Sequence, residues 1–434
     1  MGPTAVRNFD VTVIGGGLAG MAASLHLAKA GFRVACIEPE TGLRQPVGES
    51  LDWASPALLS ALGLPPEDLI EFGIATYKRG VTLQLRTGEV QNFRPPAWVA
   101  QAPFSIVLHT IHVDRMRLDR SLQDLAVARG VTIVHDKALT VEKRGMRIVS
   151  IQTASGAQFE SPWFIDASGS FTSFLAREFN LPAVAYGPRK VCLWSYFTAP
   201  QAHEGTTIYM DPVRGDYQDW AWEIPIGPNT LSVGYVTTGT AVKKWRDLGL
   251  SVEDILRLER ARFPRLASLS QKDSDTVPRV TSFTCRTYRG IAGPNWIIAG
   301  EAASMVDPIT SNGVTSALRH AAEASALIAA SRGKSELPYL ARKSYSMRVL
   351  QLGRFFNSGI ERLVYDWPVR DRLGIARAAT IYTDAAWSVN GLYSRFQPQS
   401  VLSTVIFGAL LNVLRAGAWV LYRSCGFRPS KRPT

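Results

Sequence analysis

Three glycines near the start of the chain, Gly15, Gly17 and Gly20, fall in the spacing G-x-G-x-x-G, with Leu18 and Ala19 between the last two. That spacing suits a pyrophosphate. The first glycine allows a tight turn, the second lets backbone approach the phosphates, and the third lets a helix pack closely on a strand. Unpaired N–H groups at the helix N-terminus then face the anion. Glu38, at the end of the next apolar run, can accept hydrogen bonds from a ribose. The pattern around these residues supplies the required context. Val11–Ile14 reads as a strand, the small-residue segment after Gly17 as a helix, and Val34–Ile37 as a second strand. An ordinary glycine turn would need neither both strands nor the acid.

Other chemistry-bearing residues cluster in loops. Arg44, Gly48, Glu49 and Ser50 occupy a Gly- and Pro-punctuated segment after Glu38 that can return over a bound cofactor. It can equally cap a helix expected over Leu51–Leu62, with Ser50 as N-cap. Arg115 and Asp119 lie four apart on a helix expected over His112–Gly130, an opposite-charge pair on one face. Asp166 and Gly169 end an apolar strand expected over Gln158–Ile165, where a carboxylate and backbone can reach a phosphate or ribose edge. Late in the chain the expected strand Trp296–Ala303 contains Gly300-Glu301. Asp307-Pro308 follows, then a helix whose N-terminus, Asn312, Gly313 and Val314, offers a second set of N–H groups.

The elements between these loops divide the chain. The expected fold class is α/β: a Rossmann-like dinucleotide-binding domain over residues 1–190 and 291–331, an interleaved β-sheet substrate domain over 191–290, and a helical C-terminal region over 332–434. Strands from about 75 to 112 belong with the substrate sheet, since Gly80–Arg86 and Glu89–Phe93 flank a Thr87-Gly88 turn. Between Val191 and Val236 apolar runs alternate with Gly, Pro and Asp clusters, as in a sheet flooring a pocket. Ser251–Phe263 reads as an amphipathic helix.

With 434 residues, 46% apolar and 19% charged, the chain is globular rather than disordered. Its four cysteines are scattered without metal-ligand spacing, so a reducing compartment and no metal site are expected. The first apolar segment is already the nucleotide-binding strand, so a secretory signal is not expected and the cytoplasm is the expected compartment. Net charge is +12, and from Ala341 onward fourteen Lys and Arg stand against four Asp and Glu. The basic residues lack the aromatic interleaving of a nucleic-acid module, so nucleic acid is not an expected partner. Val401–Leu414 carries no charge, and the apolar run resumes after Arg415. It can pack on the core, lie on the inner face of a membrane or, least well given its Arg and Asn, span one.

Taken together, the glycine fingerprint, V-G-E-S at Val47–Ser50, R-x-x-x-D at Arg115–Asp119, D-A-x-G at Asp166–Gly169 and the late G-E-A-A with Asp307-Pro308 resemble the FAD-dependent monooxygenase superfamily over about Phe9–Ser331. Trp220-Ala221-Trp222-Glu223-Ile224-Pro225 further resembles the W-x-W-x-I-P motif of its flavin-dependent halogenase branch. The resemblance implies that Lys78 is the catalytic lysine, holding hypohalous acid made from halide by reduced flavin and O2. It also implies that Trp220 and Trp222, on one face of a strand by their spacing of two, keep flavin and substrate apart. A solvated lysine beside Arg79 and a filled sheet core are the plain readings of the same residues.

Two departures shape the expectation. Glu301 stands where the superfamily usually has Asp, and Thr310 stands where tryptophan halogenases carry a glutamate. The expected substrate is therefore an electron-rich aromatic such as a phenol or pyrrole, small or bound to a carrier or protein, rather than free tryptophan. No second dinucleotide fingerprint is evident, so a separate flavin reductase is an expected partner. Hydroxylation by the same cofactor, reduction of an isoprenoid in the manner of geranylgeranyl reductases, and a non-catalytic flavin-binding role stay open at this point.

Overall fold

In the computed structural model the described residues are 6–39, 47–102, 107–199, 204–212, 217–271, 277–365, 374–396 and 400–424. A parallel sheet forms around Val11–Ile14, in the spatial order Trp296–Ile298, Trp163–Asp166, Val11–Ile14, Val34–Ile37, Thr132–Val134. Four of its strands are buried and largely apolar, and only the edge strand Thr132–Val134 is partly exposed; helices pack with them in one core that also takes Ile148, Ile151 and Phe159 from a separate four-stranded sheet. Leu18–Lys29 and Gly313–Ala329 lie against each other there, and their small residues Ala19, Ala22, Ala317 and Ala321 permit close approach.

A larger sheet is mixed. Among the described residues its main path runs Ser304–Met305, Arg279–Tyr288, Ala183–Thr198, Thr230–Thr238, Trp220–Gly227, Gly205–Met210, Gly80–Leu85, Val90–Phe93. Side chains alternate between its faces. Val191, Leu193, Phe197 and Ala221 pack toward the helix Val252–Arg260, whereas Cys192, Trp194, Tyr196, Trp220, Trp222 and Ile224 pack with residues of the C-terminal helices. Those helices are Tyr339–Ile360, Ile375–Phe396 and Val401–Ser424, with a π turn at Glu361–Tyr365.

A buried ion pair joins the sheet to these helices. Lys190, fully buried, donates to Asp307 Oδ2 and to Glu361 Oε1, each at 2.6 Å. Asp307 Oδ1 accepts from the Tyr365 hydroxyl at 2.9 Å, and Tyr365 accepts from Trp220 Nε1 at 2.8 Å. Trp222 is fixed separately, by donation to Ser232 Oγ at 3.1 Å and by lying against Gly234, where a Cβ would collide with its ring.

Several expected boundaries move for local reasons. Ser50 is not an N-cap, because the helix begins at Ser55, after Asp52 has accepted from Ala54 N at 2.9 Å and with Pro56 in its first turn. His112 lies within a strand, Thr110–Val113, and the helix runs Arg115–Ala128 from an Asp114 N-cap. The expected strand Gln158–Ile165 is two strands in two sheets, Gln158–Glu160 and Trp163–Asp166, broken at Ser161-Pro162 where proline has no N–H to give a ladder. Strand structure near Trp296 ends at Ile298. The 24-residue helix Val401–Ser424 is amphipathic in its burial, and no described helix is long and apolar enough to cross a membrane.

Removing Lys190 would leave Asp307 and Glu361 close together without their shared cation. Lys190→Met is expected to cost about 3–5 kcal/mol, seen as a lower urea midpoint; a parent-like midpoint would show that the pair contributes nothing to stability.

Candidate active site

The two sheets meet along a cleft of about 1310 Å³. This exceeds the roughly 300–1,000 Å³ of a single small-molecule site, so it has room for a cofactor and a second ligand. One end is the glycine turn. Gly15 has φ +97°, and a Cβ there would lie 2.5 Å from the carbonyl oxygen of Ala167, while a Cβ on Gly17 would meet nothing within 4 Å. The turn is therefore closed below and open above, a cradle for phosphates. Gly15, Gly17, Leu18 and Ala19 line the cleft, and Gly20 sits behind them against Gly15. Glu38 lines the same end, its Oε2 accepting from Gly16 N at 2.5 Å.

The loop before residue 51 forms the next wall. Gly48, Glu49 and Ser50 line the cleft; Arg44 lies outside the described residues. Arg115 pins this loop, donating to the carbonyls of Val47 and Gly48 at 3.2 and 3.3 Å while pairing with Asp119 at 3.1 Å. Glu49 is buried and accepts from the Tyr196 hydroxyl at 2.8 Å, and burial pushes its carboxyl up to about 7. Gly169, Glu301, Pro308, Gly313 and Val314 line the opposite wall. Glu301 accepts from Ser170 at 3.2 Å, and burial raises its pKa.

Three residues singled out in the sequence stand behind the wall rather than on it. Asp166 turns inward and accepts from Ser168 N at 2.9 Å and Leu175 N at 2.7 Å, which fixes the turn that places Gly169. Gly300, with φ +61°, packs on Ala19, and Asn312 is buried beneath the helix it precedes. None of the three is in the lining.

Lys78 is also behind the wall, and it is no surface lysine. It is fully buried and donates to the Leu51 carbonyl at 2.8 Å, with its ammonium 4.6 Å from the centre of the Trp53 ring. Desolvation lowers its pKa to about 7, partly opposed by the nearby Asp52 carboxylate. The strand Ala75–Lys78 holds it in place by antiparallel pairing with Thr110–Val113, Lys78 opposite Thr110. A row of hydroxyls leads from it to the cleft. Its Nζ is 3.4 Å from Ser311 Oγ, Ser311 donates to Ser50 at 3.2 Å, Ser50 and Thr206 are 2.7 Å apart, and His112 Nε2 lies 2.9 Å from Thr206. Ser50, Thr206 and Ser311 all line the cleft, and so do Trp220, Trp222 and Ile224 on the sheet side.

Sequence reasoning passed over Ser311, Thr206 and His112 as site residues, and also Lys190. Hydroxyls that meet only through tertiary contact leave no local pattern. Lys190 did leave one: a lysine opening the apolar run Val191–Phe197 of a central strand is costly unless paired. Among the described residues no cluster able to hold a metal ion is found.

Comparison with known proteins bears on this cleft. The profile described as tryptophan halogenase matches residues 82–338, and one described as FAD binding domain matches residues 10–70. A tryptophan 2-halogenase of Chondromyces crocatus is 28% identical over 343 residues, covering 75% of this chain and 61% of that enzyme. A chlorinase of Pseudomonas fluorescens that acts on 1H-pyrrole-2-carbonyl-[peptidyl-carrier protein] is 27% identical over 357 residues, covering 74% of this chain and 75% of its own. The fold matches the flavin-dependent brominase Bmp2 with a TM-score of 0.72 at 22% identity, over 95% of this chain and 100% of that one. A mutant of the halogenase PltM, solved in complex with FAD, matches with a TM-score of 0.66 at 16% identity over 98% and 93%. The cofactor is FAD, and the cradle above Gly17 fits its pyrophosphate.

Gly15→Ala is expected to weaken FAD binding at least tenfold, since the strain of a non-glycine residue at this φ is on the order of 1–3 kcal/mol and the added carbon meets Ala167. Flavin fluorescence titration reads the loss, and parent-like affinity would remove the turn's conformation from the binding requirement.

Proposed function

The chain belongs to the tryptophan halogenase family, and from that premise we propose that it is an FAD-dependent oxidoreductase halogenating an electron-rich aromatic ring, with Lys78 delivering the halogen. The carrying observation is a buried ammonium at the end of a hydroxyl row that opens on the cleft beside Trp220 and Trp222. Residues Gly15, Gly17, Leu18, Ala19, Glu38, Gly48, Glu49, Ser50, Arg115 and Gly169, with Glu301, Pro308, Gly313 and Val314 across the cleft, would hold the FAD. When bound and reduced, FAD supplies with O2 and halide the oxidising equivalent that becomes hypohalous acid.

Lys78 then does two things. From behind the wall its ammonium polarises the Ser311 hydroxyl, which lines the cleft and would donate the hydrogen bond to the oxygen of HOX that makes the halogen more electrophilic. Through the same hydroxyl row it would supply the proton as water forms: the ring carbon takes X, the oxygen gains a proton and leaves as H2O, and the ring loses its proton to a base. The balance is ArH + HOX giving ArX and H2O. Trp220 and Trp222, each gripped through its indole nitrogen, form a rigid wall that keeps the ring from the cofactor side. Thr310, a short side chain turned to the Asp307 carbonyl at 2.8 Å, puts a hydroxyl rather than a carboxylate at its own position, in keeping with a phenol or a pyrrole, free or carried, rather than free tryptophan.

The last helix supports a reading of its surface as well. Leu402, Val405, Ile406, Val413, Trp419 and Val420 are exposed along one side of Val401–Ser424, and Arg423 lies beyond them. We read this side as a peripheral contact with a membrane surface.

Lys78→Met, loaded with FAD, is expected to lose 10²–10⁴-fold in halogenated product while its flavin still reacts with O2. Product analysis with bromide and a phenolic or pyrrolic probe measures it. Retained halogenation would remove Lys78 from the chemistry, and oxygenated product without halide dependence would favour hydroxylation. With the lysine titrating near 7, the active ammonium is present below that pH and lost above it. A kcat/KM profile for the parent is therefore expected to fall as pH rises through about 7.

A further inference from the structure

Halogenation of a ring needs an acid for the departing oxygen and a base for the ring proton, and Lys78 supplies only the acid. The hydroxyl row that begins at Lys78 ends at an imidazole. His112 is fully buried, lies opposite Thr76 in the pairing of Thr110–Val113 with Ala75–Lys78, and is joined to Ser50 by a β-bridge. Both of its ring nitrogens have a hydroxyl neighbour. Nδ1 is 3.4 Å from Thr76 Oγ1, and Nε2 is 2.9 Å from Thr206 Oγ1.

These contacts decide the tautomer. Thr76 has a single hydroxyl proton, and it donates that proton to the Pro225 carbonyl at 2.5 Å. Toward the imidazole Thr76 is therefore an acceptor, so Nδ1 carries the N–H and Nε2 the lone pair. Nε2 then accepts from Thr206, whose oxygen accepts from Ser50 at 2.7 Å. Ser50 accepts from Ser311 at 3.2 Å, and Ser311 from the Lys78 ammonium at 3.4 Å. Every hydroxyl of the row points the same way, from ammonium to imidazole. Pro225 closes the W-x-W-x-I-P run, so the proline of that run sets the far end of the row through its carbonyl.

We infer that His112 is the base for the ring proton, which reaches it through Ser50 and Thr206. The inference rests on the reading of Lys78 as the acid. Ser50 and Thr206 line the cleft and His112 stands behind them, so it acts through their hydroxyls. When Ser311 turns to the oxygen of HOX, the Ser50 lone pair it had occupied is released toward the ring. After the ring carbon has taken X, its C–H bond breaks, the electron pair returns to the ring and the proton passes to Ser50 Oγ. Ser50 gives its own proton to Thr206, and Thr206 gives its own to Nε2. Lys78 has by then lost one proton, through Ser311, to the departing oxygen, and the imidazole has gained one. Its return along the row restores both ends, and the sum remains ArH + HOX giving ArX and H2O.

The test compares His112→Gln and Thr206→Val with the parent, each full-length and FAD-loaded, given bromide and a phenolic probe carrying hydrogen or deuterium at the halogenated position. Loss of the base is expected to lower kcat about 10²-fold. It also makes C–H cleavage slow, so both variants are expected to turn over the deuterated probe more slowly than the protonated one, by a larger ratio than the parent does. A merely structural disturbance lowers turnover without that isotope effect. Thermal melts check folding, and the two substitutions lie on different strands, so one misfolded variant leaves the other to decide. Nitrogen-15 NMR of the parent reads the tautomer without turnover, the His112 signals being those absent from His112→Gln; in the neutral ring the proton is expected on Nδ1. Parent-like kcat in both variants, a loss without the isotope effect, or a proton on Nε2 of the neutral ring overturns the assignment. Lys78→Met separates premise from inference: retained halogenation there overturns the premise and the inference with it, whereas an inactive Lys78→Met beside parent-like His112 and Thr206 variants overturns the base alone.

Discussion

A lysine without access to water, Lys190, is the constraint on which the arrangement around the cleft depends. An ammonium buried in a sheet is tolerable only if its charge is met at close range, and Asp307 and Glu361 meet it from two directions. Asp307 also caps the turn at Pro308–Thr310, accepting from Ile309 N at 3.1 Å, and takes the hydrogen bond of Tyr365, which in turn receives that of Trp220. One ion pair thus ties the central strand, the cofactor-side turn, the first C-terminal helix and a wall tryptophan into a single unit. A shift in any one of them would break a buried hydrogen bond in the others.

The parts of this architecture that were legible in the sequence are those written in local pattern. G-x-G-x-x-G between two apolar runs announces its turn because only glycine suits φ +97° at Gly15 and the close contacts at Gly20. Trp220 and Trp222 do share a face, as their spacing requires. The motifs also pointed to the cleft, since most of the residues they named line it, while Gly20, Lys78, Asp166, Gly300 and Asn312 stand behind its wall. What could not be read was direction. Asp166 stands in the expected place with its carboxylate turned to the backbone N–H groups of Ser168 and Leu175, which the turn and short helices after it bring back to the strand end.

Lys78 shows the same limit from the other side. Composition makes a lysine beside an arginine look solvated, and only tertiary packing reveals that Leu51, Trp53 and Ser311 enclose it. Its depressed pKa follows from that enclosure and not from its neighbours in sequence. The strand boundary at His112 belongs to the same lesson: the Thr110–Val113 strand exists because Ala75–Lys78 needs a partner, and the Asp114 cap then delays the helix.

The chamber around Lys78 has one wall from a distant part of the chain. Trp53 meets Trp387 edge to face at 5.5 Å, and Asp52 accepts from Asn390 at 3.0 Å, both partners lying on Ile375–Phe396 beyond the residues matched by the family profile. Residues inside and outside the matched profile therefore meet beside Lys78. Mutations accumulating in that helix can remould the space beside Lys78 while the glycine turn and the tryptophan strand stay as they are, so the shape of that chamber can change without renegotiating how the flavin is held.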